Sequence, residues 1–579
     1  NAQTSVLTAE LLGDDPSPGT LTQLIATQAA GNPFFAEEMV RDLSEHIVLQ
    51  GITGEYRLAD NTVEVAVPPT LQATIGSRID RLTPVAKYTL NAAAVIGSRF
   101  DTDLLAELID DADVVSLIEA ELVDQVRFTP KAQYAFRHPL IHTVAYESQL
   151  KSDRATLHRR LAVAIEARGS SDENAALIAE HTEAAADLPD AFAWHMRAGT
   201  WANTRDIAAA HTSWRRALQV ADRLPQDQPD RMSMRIAPRT FLCATASRQG
   251  GSSAETGYEE LRQLCNAAGA QRSLAIGMIG LVSASLLNVR REEASRLASE
   301  QVRLLEAIGD PTLTVGLLPM ALLAKHETGE MAEVLRLAQR LIDLADGDFT
   351  MGNLLFGSPL VYCIPMRGIA RASLGMAGWR EDFDQALASA READAMTRAS
   401  AIYYTYLSAL AFGLLLPDDL MLARSAGNYE LARQAGKDIA EYLSITVHGV
   451  VLACRDGADR AAGIELLEQA RERALDQMLT GRPIADSYIA REQARRGNVD
   501  GAIELARDNV ADMSNSRRCV WIALTTTTLV EVLLARNADN DRRGKRRARR
   551  VGGHADRSRI CRQRHHRVAA ASAGSASAR

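Results

Sequence analysis

The chain has 579 residues, 46% of them apolar and 24% charged, with 18 Pro and a net charge of −8. That length holds roughly three or four domains of about 150 residues each, and the balance is that of a globular protein, which excludes general disorder and a fibrous repeat. Alanine, leucine and arginine fill the chain, and these strong helix formers argue against an all-β or βαβ protein.

The charge is uneven. Residues 541–579 hold 13 Lys and Arg against two Asp, so the remaining 540 hold 52 basic and 71 acidic side chains, a net of −19. An acidic body is a poor nucleic-acid binder, because affinity for DNA comes mostly from neutralising phosphates. The longest apolar runs, 278–287 and 409–416, fall short of the ~20 residues that span a bilayer, and no signal peptide is visible. Six scattered cysteines (Cys243, Cys265, Cys363, Cys454, Cys519, Cys561) form no CxxC pair. A cytoplasmic protein with reduced thiols, no membrane contact and no metal site is expected. The chain opens at Asn1 in mid-pattern, so it is read as N-terminally incomplete.

In chain order, Leu21, Leu24 and Ile25 form one helical stripe, with Thr20 as N-cap and Gly31 closing it. Pro33 restarts a helix at its first position, where a missing N–H costs nothing, and Phe35, Met39 and Leu43 continue at spacing four. Residues 51–61, with Gly51, Gly54, Asp60 and Asn61, read as a loose hairpin, and Pro68-Pro69 marks a boundary. Leu71, Ile75, Ile79 and Leu82 share a helix face. Pro84 opens the next helix, Asp101 caps a third carrying Leu104, Leu105 and Leu108, and Leu117, Ile118 and Leu122 belong to a fourth. Then the period drops to two: Val126 and Phe128, a turn over residues 129–133, then Tyr134 and Phe136. Pro139 starts another helix at once. Helices followed by a two-stranded wing outline a winged-helix domain over about 63–168.

From 170 to 540 helix follows helix. One stretch fits the tetratricopeptide pattern: Trp194 at the first aromatic place, Ala198 at the small place, Trp201, Ala210, Trp214 and Ala217 after it. Weaker echoes are Val334 and Ala338 after Gly329, Ala386 and Ala390 after Gly378, and Ala502 and Ala506 after Gly497. A degenerate α-solenoid of helix pairs is expected, since about 370 residues exceed one compact core. At 541 the apolar period ends. The basic segment 541–579 is expected to be disordered, and is either a nucleic-acid or membrane-surface tail or the frame-shifted end of a GC-rich coding sequence.

No GxxxxGKS or GxxxxGKT, GxSxG or HExxH pattern occurs, so no catalytic residue is assigned. His138 and His142 lie four apart on a helix, too few ligands for a metal. Two short motifs remain: Gly31-Asn32-Pro33-Phe34-Phe35-Ala36-Glu37-Glu38, and Phe136-Arg137-His138-Pro139-Leu140-Ile141 with Tyr146-Glu147 behind it. Pro139 as the first helical residue puts His138 at a helix N-terminus, which attracts phosphate. His138 therefore either reads a nucleotide's phosphates together with Arg137 or simply caps the helix.

These two motifs, with Val67-Pro68-Pro69-Thr70-Leu71, Arg78-Ile79-Asp80-Arg81-Leu82 and Ala94-Val95-Ile96-Gly97, resemble the C-terminal half of bacterial signal-transduction ATPases with numerous domains (the STAND class, related to AAA ATPases). The resemblance covers about 20–540. It implies the end of an ATPase module with a helical lid and hairpin over 1–62, a winged helix over 63–168, a tetratricopeptide-like solenoid over 170–540, and the basic tail over 541–579. It also implies that Gly31, Asn32 and Pro33 form the Gly-x-Pro motif whose proline packs near adenine. Arg137 and His138 fall where relatives carry a histidine that senses the nucleotide diphosphate, although Pro139 replaces their aspartate. The Gly378-Trp379-Arg380 stretch is similar to actinobacterial ATPases fused to class III adenylate cyclases.

The function so implied is regulatory: nucleotide-dependent switching of a cyclic-AMP-making parent, with ATP or ADP and magnesium held by ATPase and cyclase domains before Asn1. A protein or small-molecule signal is expected on the repeats. The alternatives are a LuxR-type transcription regulator of the same ATPase class and a non-enzymatic repeat scaffold.

Overall fold

The computed structural model describes residues 2–45, 48–59, 70–203, 205–249, 256–288, 290–353, 357–435, 438–476, 481–515 and 520–548. They divide into two units. The first comprises Asn1–Ala202 with Arg215–Gln228, and the second Asn203–Trp214 with the described residues from Pro229 on.

The first unit contains α1 (Ala2–Leu12), α2 (Gly19–Ala29), α3 (Pro33–Glu45), β1 (Leu49–Gln50), β2 (Arg57–Leu58), α4 (Leu71–Asp80) and α5 (Pro84–Ile96). Then come β3 (Arg99–Asp101), α6 (Thr102–Leu108), α7 (Val114–Glu119), β4 (Val123–Arg127), β5 (Gln133–Phe136), α8 (Pro139–Glu147), α9 (Lys151–Ala167), α10 (Ala175–Ala184) and α11 (Leu188–Ala202). Local chemistry explains most of the helix starts. Thr70, Thr83, Asp101 and Asp113 each accept a hydrogen bond from the backbone N–H three residues on, which satisfies a donor the helix itself cannot. Pro33, Pro84 and Pro139 each occupy the first helical position, as expected.

Helix α2 departs from expectation at both ends. It starts at Gly19 behind Pro18, so Thr20 lies inside it, and it closes on Ala30 in the left-handed region (φ 50°) ahead of Gly31. Leu21 and Ile25 are buried, but Leu24 faces solvent. The hairpin β1–β2 pairs Leu49 with Leu58; Asp60, Asn61 and Pro68-Pro69 lie outside the described residues.

The predicted β4–β5 hairpin is present but belongs to a three-stranded antiparallel sheet of order β3-β5-β4. At three residues, β3 is too short to show an alternation. A register shift between Gln125 and Arg127, the mark of a bulge, accompanies a change of face. Val123 and Phe136 are buried, whereas Val126 and Phe128 are exposed. One core runs through this unit: Leu12, Ile25 and Met39 share it with Ile75, Leu90, Phe100, Leu105, Leu161 and Ile178. Helices α1–α3 and the sheet-bearing segment are therefore packed as one body.

The second unit is helical throughout its described residues beyond Pro229. Each helix packs on the next, and helices two apart also meet: Gln271–Leu287 with Pro311–Glu327, and that helix with Pro359–Ser373. Packing largely on neighbours in the chain is that of an α-solenoid built from helix pairs, with a longer-range contact of His326 on Trp521 at 6.2 Å, and the molecule is mainly α as expected. Gly329, Gly378 and Gly497 all take positive φ in the turns, and Val334, Ala338, Ala386, Ala390, Ala502 and Ala506 behind them are buried. The three tryptophans, however, do not share one core. Trp194 packs on the core of the first unit with Arg197 over its ring, whereas Trp214 belongs to the second unit and stacks on Phe241 at 5.2 Å.

The last helix, Ile522–Ala548, runs through the first eight residues of the basic segment; residues 549–579 lie outside the described residues. Cys243, Cys265, Cys363 and Cys454 are free thiols, and Cys519 and Cys561 lie outside the described residues. Among the described residues no helix is long and apolar enough to cross a membrane.

Candidate nucleotide-sensing site

The Gly31-Asn32-Pro33 turn is built from local rules. Gly31 sits at φ 95°, a conformation that glycine adopts without a side-chain penalty. Asn32 donates its N–H to the Ala29 carbonyl at 2.8 Å and caps α3: its Oδ1 accepts from the Phe35 N–H at 3.4 Å and its carbonyl from Ala36 at 3.3 Å. Pro33 then opens the helix. All three residues are exposed, so the turn presents backbone and a proline ring to solvent.

At the other motif, His138 is the N-cap of α8 in extended backbone, and its Nδ1 accepts from the Leu140 N–H at 3.1 Å. An Nδ1 that accepts carries no proton, so the neutral ring holds its proton on Nε2. The two readings of His138 left open by the sequence are therefore compatible. The cap uses Nδ1, and Nε2–H remains a donor beside a helix N-terminus.

The fold brings the two motifs together. The Phe34 ring, one residue beyond Pro33, stacks on the His138 ring with centroids 3.8 Å apart and planes 12° apart. An ion-pair cluster lies alongside. Arg137 is exposed and pairs with Glu121, which also takes Arg41 from α3. Glu38, fully buried, pairs with Arg78 of α4 and with Arg41, and Arg81 pairs with Asp42 at 3.1 Å.

Of the predicted site residues, Gly31, Asn32 and Pro33 thus form one exposed turn and His138 is reached from it through Phe34. Arg137 lies next to them with its charge already shared with Glu121. Phe34, Glu38, Arg41, Arg78 and Glu121 were not singled out from sequence. Phe34, Glu38 and Arg78 lie inside the quoted motifs, but nothing in the spacing reveals their partners.

His142 does not join His138. Its Nε2 bonds the Ala94 carbonyl at 3.0 Å, and no group of three metal-ligating side chains occurs among the described residues. Behind it a second line of polar groups runs inward. The Tyr146 hydroxyl meets His158 Nε2 at 2.8 Å, and His158 Nδ1 meets His181 Nδ1 at 2.9 Å. Two facing Nδ1 atoms need one donor and one acceptor, which suits two neutral rings. Burial pushes both imidazoles down to about 4, and His181 adds to the effect on His158.

The chain matches no family model. An uncharacterized protein of Rhizobium meliloti is 29% identical over 190 residues, which are 31% of this chain and 18% of that protein's length. Among solved structures, a signal-transduction ATPase with numerous domains and a tetratricopeptide-repeat sensor, from Pyrococcus horikoshii, aligns over 92% of this chain and 74% of its own. Its TM-score is 0.46 and its identity 11%.

Proposed function

We propose that this chain is the regulatory portion of a nucleotide-dependent signal-transduction ATPase of the STAND class. In this reading the Gly31-Asn32-Pro33 turn and His138 read a nucleotide held by an ATPase domain of the parent, and the solenoid receives the signal that shifts its two states. The observation that carries the reading is the stack of Phe34 on His138. It sets the turn whose proline the family resemblance assigns to the base beside the histidine that it assigns to the phosphates.

The chemistry suits a phosphate. His138 offers its Nε2 proton beside the positive end of the α8 dipole, and Arg137 lies next to it. Magnesium and a phosphate-cradling loop in the parent would supply the phosphoryl chemistry. The residues of this chain bind and orient. They hold Nε2–H toward the anion and convert nucleotide state into the position of α3 against α8.

The finer reading follows the same resemblance: the parent makes cyclic AMP through a class III cyclase, in the cytoplasm, and the signal is a protein or small molecule on the repeats. The winged-helix assignment of 63–168 belongs here too, supported by helices α4–α8 around the β3-β5-β4 sheet. The test is ADP affinity and basal activity of the parent carrying His138→Ala. Weaker ADP binding and a raised basal activity are expected, and unchanged values for both would reduce His138 to a helix cap.

A further inference from the structure

A sensing histidine is useful only if its donor points one way. The Leu140 cap by itself does not ensure this. The torsion of an imidazole about its last bond is broad and roughly two-fold, so the ring could tilt within reach of Leu140 or turn over, placing carbon where Nδ1 stands. In this protein two contacts divide the task. The Leu140 N–H selects the edge that carries Nδ1, and the Phe34 ring, nearly parallel at 3.8 Å, sets the plane. Together they leave one orientation for Nε2–H.

Phe34 is itself held. It follows Pro33 in the first turn of α3 and packs, partly buried, on the core of the first unit. Buried Phe35, Met39 and Leu43 anchor the same helix, and Glu38 ties it to Arg78. A displacement at Pro33 therefore moves the Phe34 ring, and with it the plane of His138.

We propose that Phe34 is a positioning residue. Its ring fixes the plane in which His138 presents the Nε2 proton and couples that proton to the Gly31-Asn32-Pro33 turn, so that the two ends of the sensing site move as one. This rests on the reading of His138 as the nucleotide sensor, but its physical core is tested without nucleotide.

The experiment is NMR of the full chain with isotope-labelled histidine, the His138 signals being identified by their loss in His138→Gln. In the unsubstituted chain His138 should show one tautomer, protonated on Nε2, with ring protons displaced upfield by the stacked Phe34. Phe34→Leu should abolish the displacement and bring in the second tautomer, while Phe34→Tyr, which keeps the ring, should preserve both signatures. Should Phe34→Leu fail to fold, the unsubstituted chain and Phe34→Tyr still decide, since each must show the upfield displacement. His138 ring protons without displacement, or signals unmoved by Phe34→Leu, would overturn the proposal. Because no nucleotide is present, this outcome is independent of the ADP measurement on His138→Ala.

Discussion

In the first unit α3 meets α4 through a buried ion pair, Glu38 with Arg78, and buried Asp42 takes the exposed Arg81 just beyond α4. In the second unit helices Arg231–Thr245 and Gln271–Leu287 meet where a side chain is missing: a Cβ on Gly280 would fall 1.9 Å from the Cys243 carbonyl oxygen. Helix Ala458–Asp476 meets Asp438–Ala453 the same way, with a Cβ on Gly463 falling 2.4 Å from the Ala453 nitrogen. These are two kinds of joint rather than a rule for each unit, since the second unit also holds ion pairs of buried carboxylates, Arg291 with Glu327 and Arg367 with Asp382. A charged joint has discrete partners that can re-pair. Close backbone contact has no such alternatives, and it sets helix-to-helix geometry.

The comparison breaks most sharply at Glu38. Glu38→Ala leaves Arg78 buried without its carboxylate and should cost about 3–5 kcal/mol, read as loss of hydrogen-exchange protection in α3 and α4. The double change Glu38→Leu with Arg78→Met should recover most of that loss, since a well-packed apolar pair can replace a buried ion pair. A double variant as unstable as the single one would show that shape, not charge, holds this joint. Of similar size is Trp214→Ala in the second unit. Trp214 is fully buried on Phe241, and its loss should cost about 3–5 kcal/mol, with protection lost in helices Ile207–Arg223 and Arg231–Thr245.

A proton should discriminate the first unit next. His158 and His181 stay neutral when folded down to about pH 4, whereas unfolded imidazoles take up protons below ~6.5. Between these values the unfolded chain binds more protons, so stability is full above about pH 6.5 and falls as the pH drops toward 4. The loss should reach on the order of 3 kcal/mol for the first ring charged. Amides of α9 and α10 should lose protection over that window, and His181→Gln should flatten the slope; a flat profile in the parent sequence would contradict the neutral pair.

Gly280→Ala would set a methyl 1.9 Å from the Cys243 carbonyl oxygen, which only a helix shift can relieve, so it should cost about 3 kcal/mol or more, measured as a lower unfolding midpoint of the second unit. Asp101→Ala, which removes the α6 cap, should cost about 1 kcal/mol. If the cap change proved the larger of the two, close backbone approach would not be what sets the solenoid geometry.

Much of the helical framework was legible because it is local. Caps at Asp101 and proline starts at Pro33, Pro84 and Pro139 depend on a few adjacent residues, and the Gly329, Gly378 and Gly497 turns mark repeat boundaries by backbone conformation alone. The misplaced start of α2 is a local error of the same scale: Pro18 is the N-cap, its carbonyl accepting from Leu21 and Thr22, and Thr20, though of cap type, sits two positions further in. Strand β3 was not legible, since three residues carry no period, and the bulge at Gln125–Arg127 turns Val126 and Phe128 outward despite their alternation.

The candidate site divides along the same line. Sequence alone determined that residues 31–33 form a glycine turn entering a helix, that His138 stands at a helix start, and that the body is acidic and helical; each follows from short-range sterics and hydrogen bonding. Only the tertiary structure decided that Phe34 covers His138 across about a hundred residues of chain, that Arg137 shares Glu121 with Arg41, and that Trp194 and Trp214 serve different cores. Those pairings arise when separate helices bury their apolar faces together, and the energy that selects them is a property of the packed whole, absent from any single stretch of sequence.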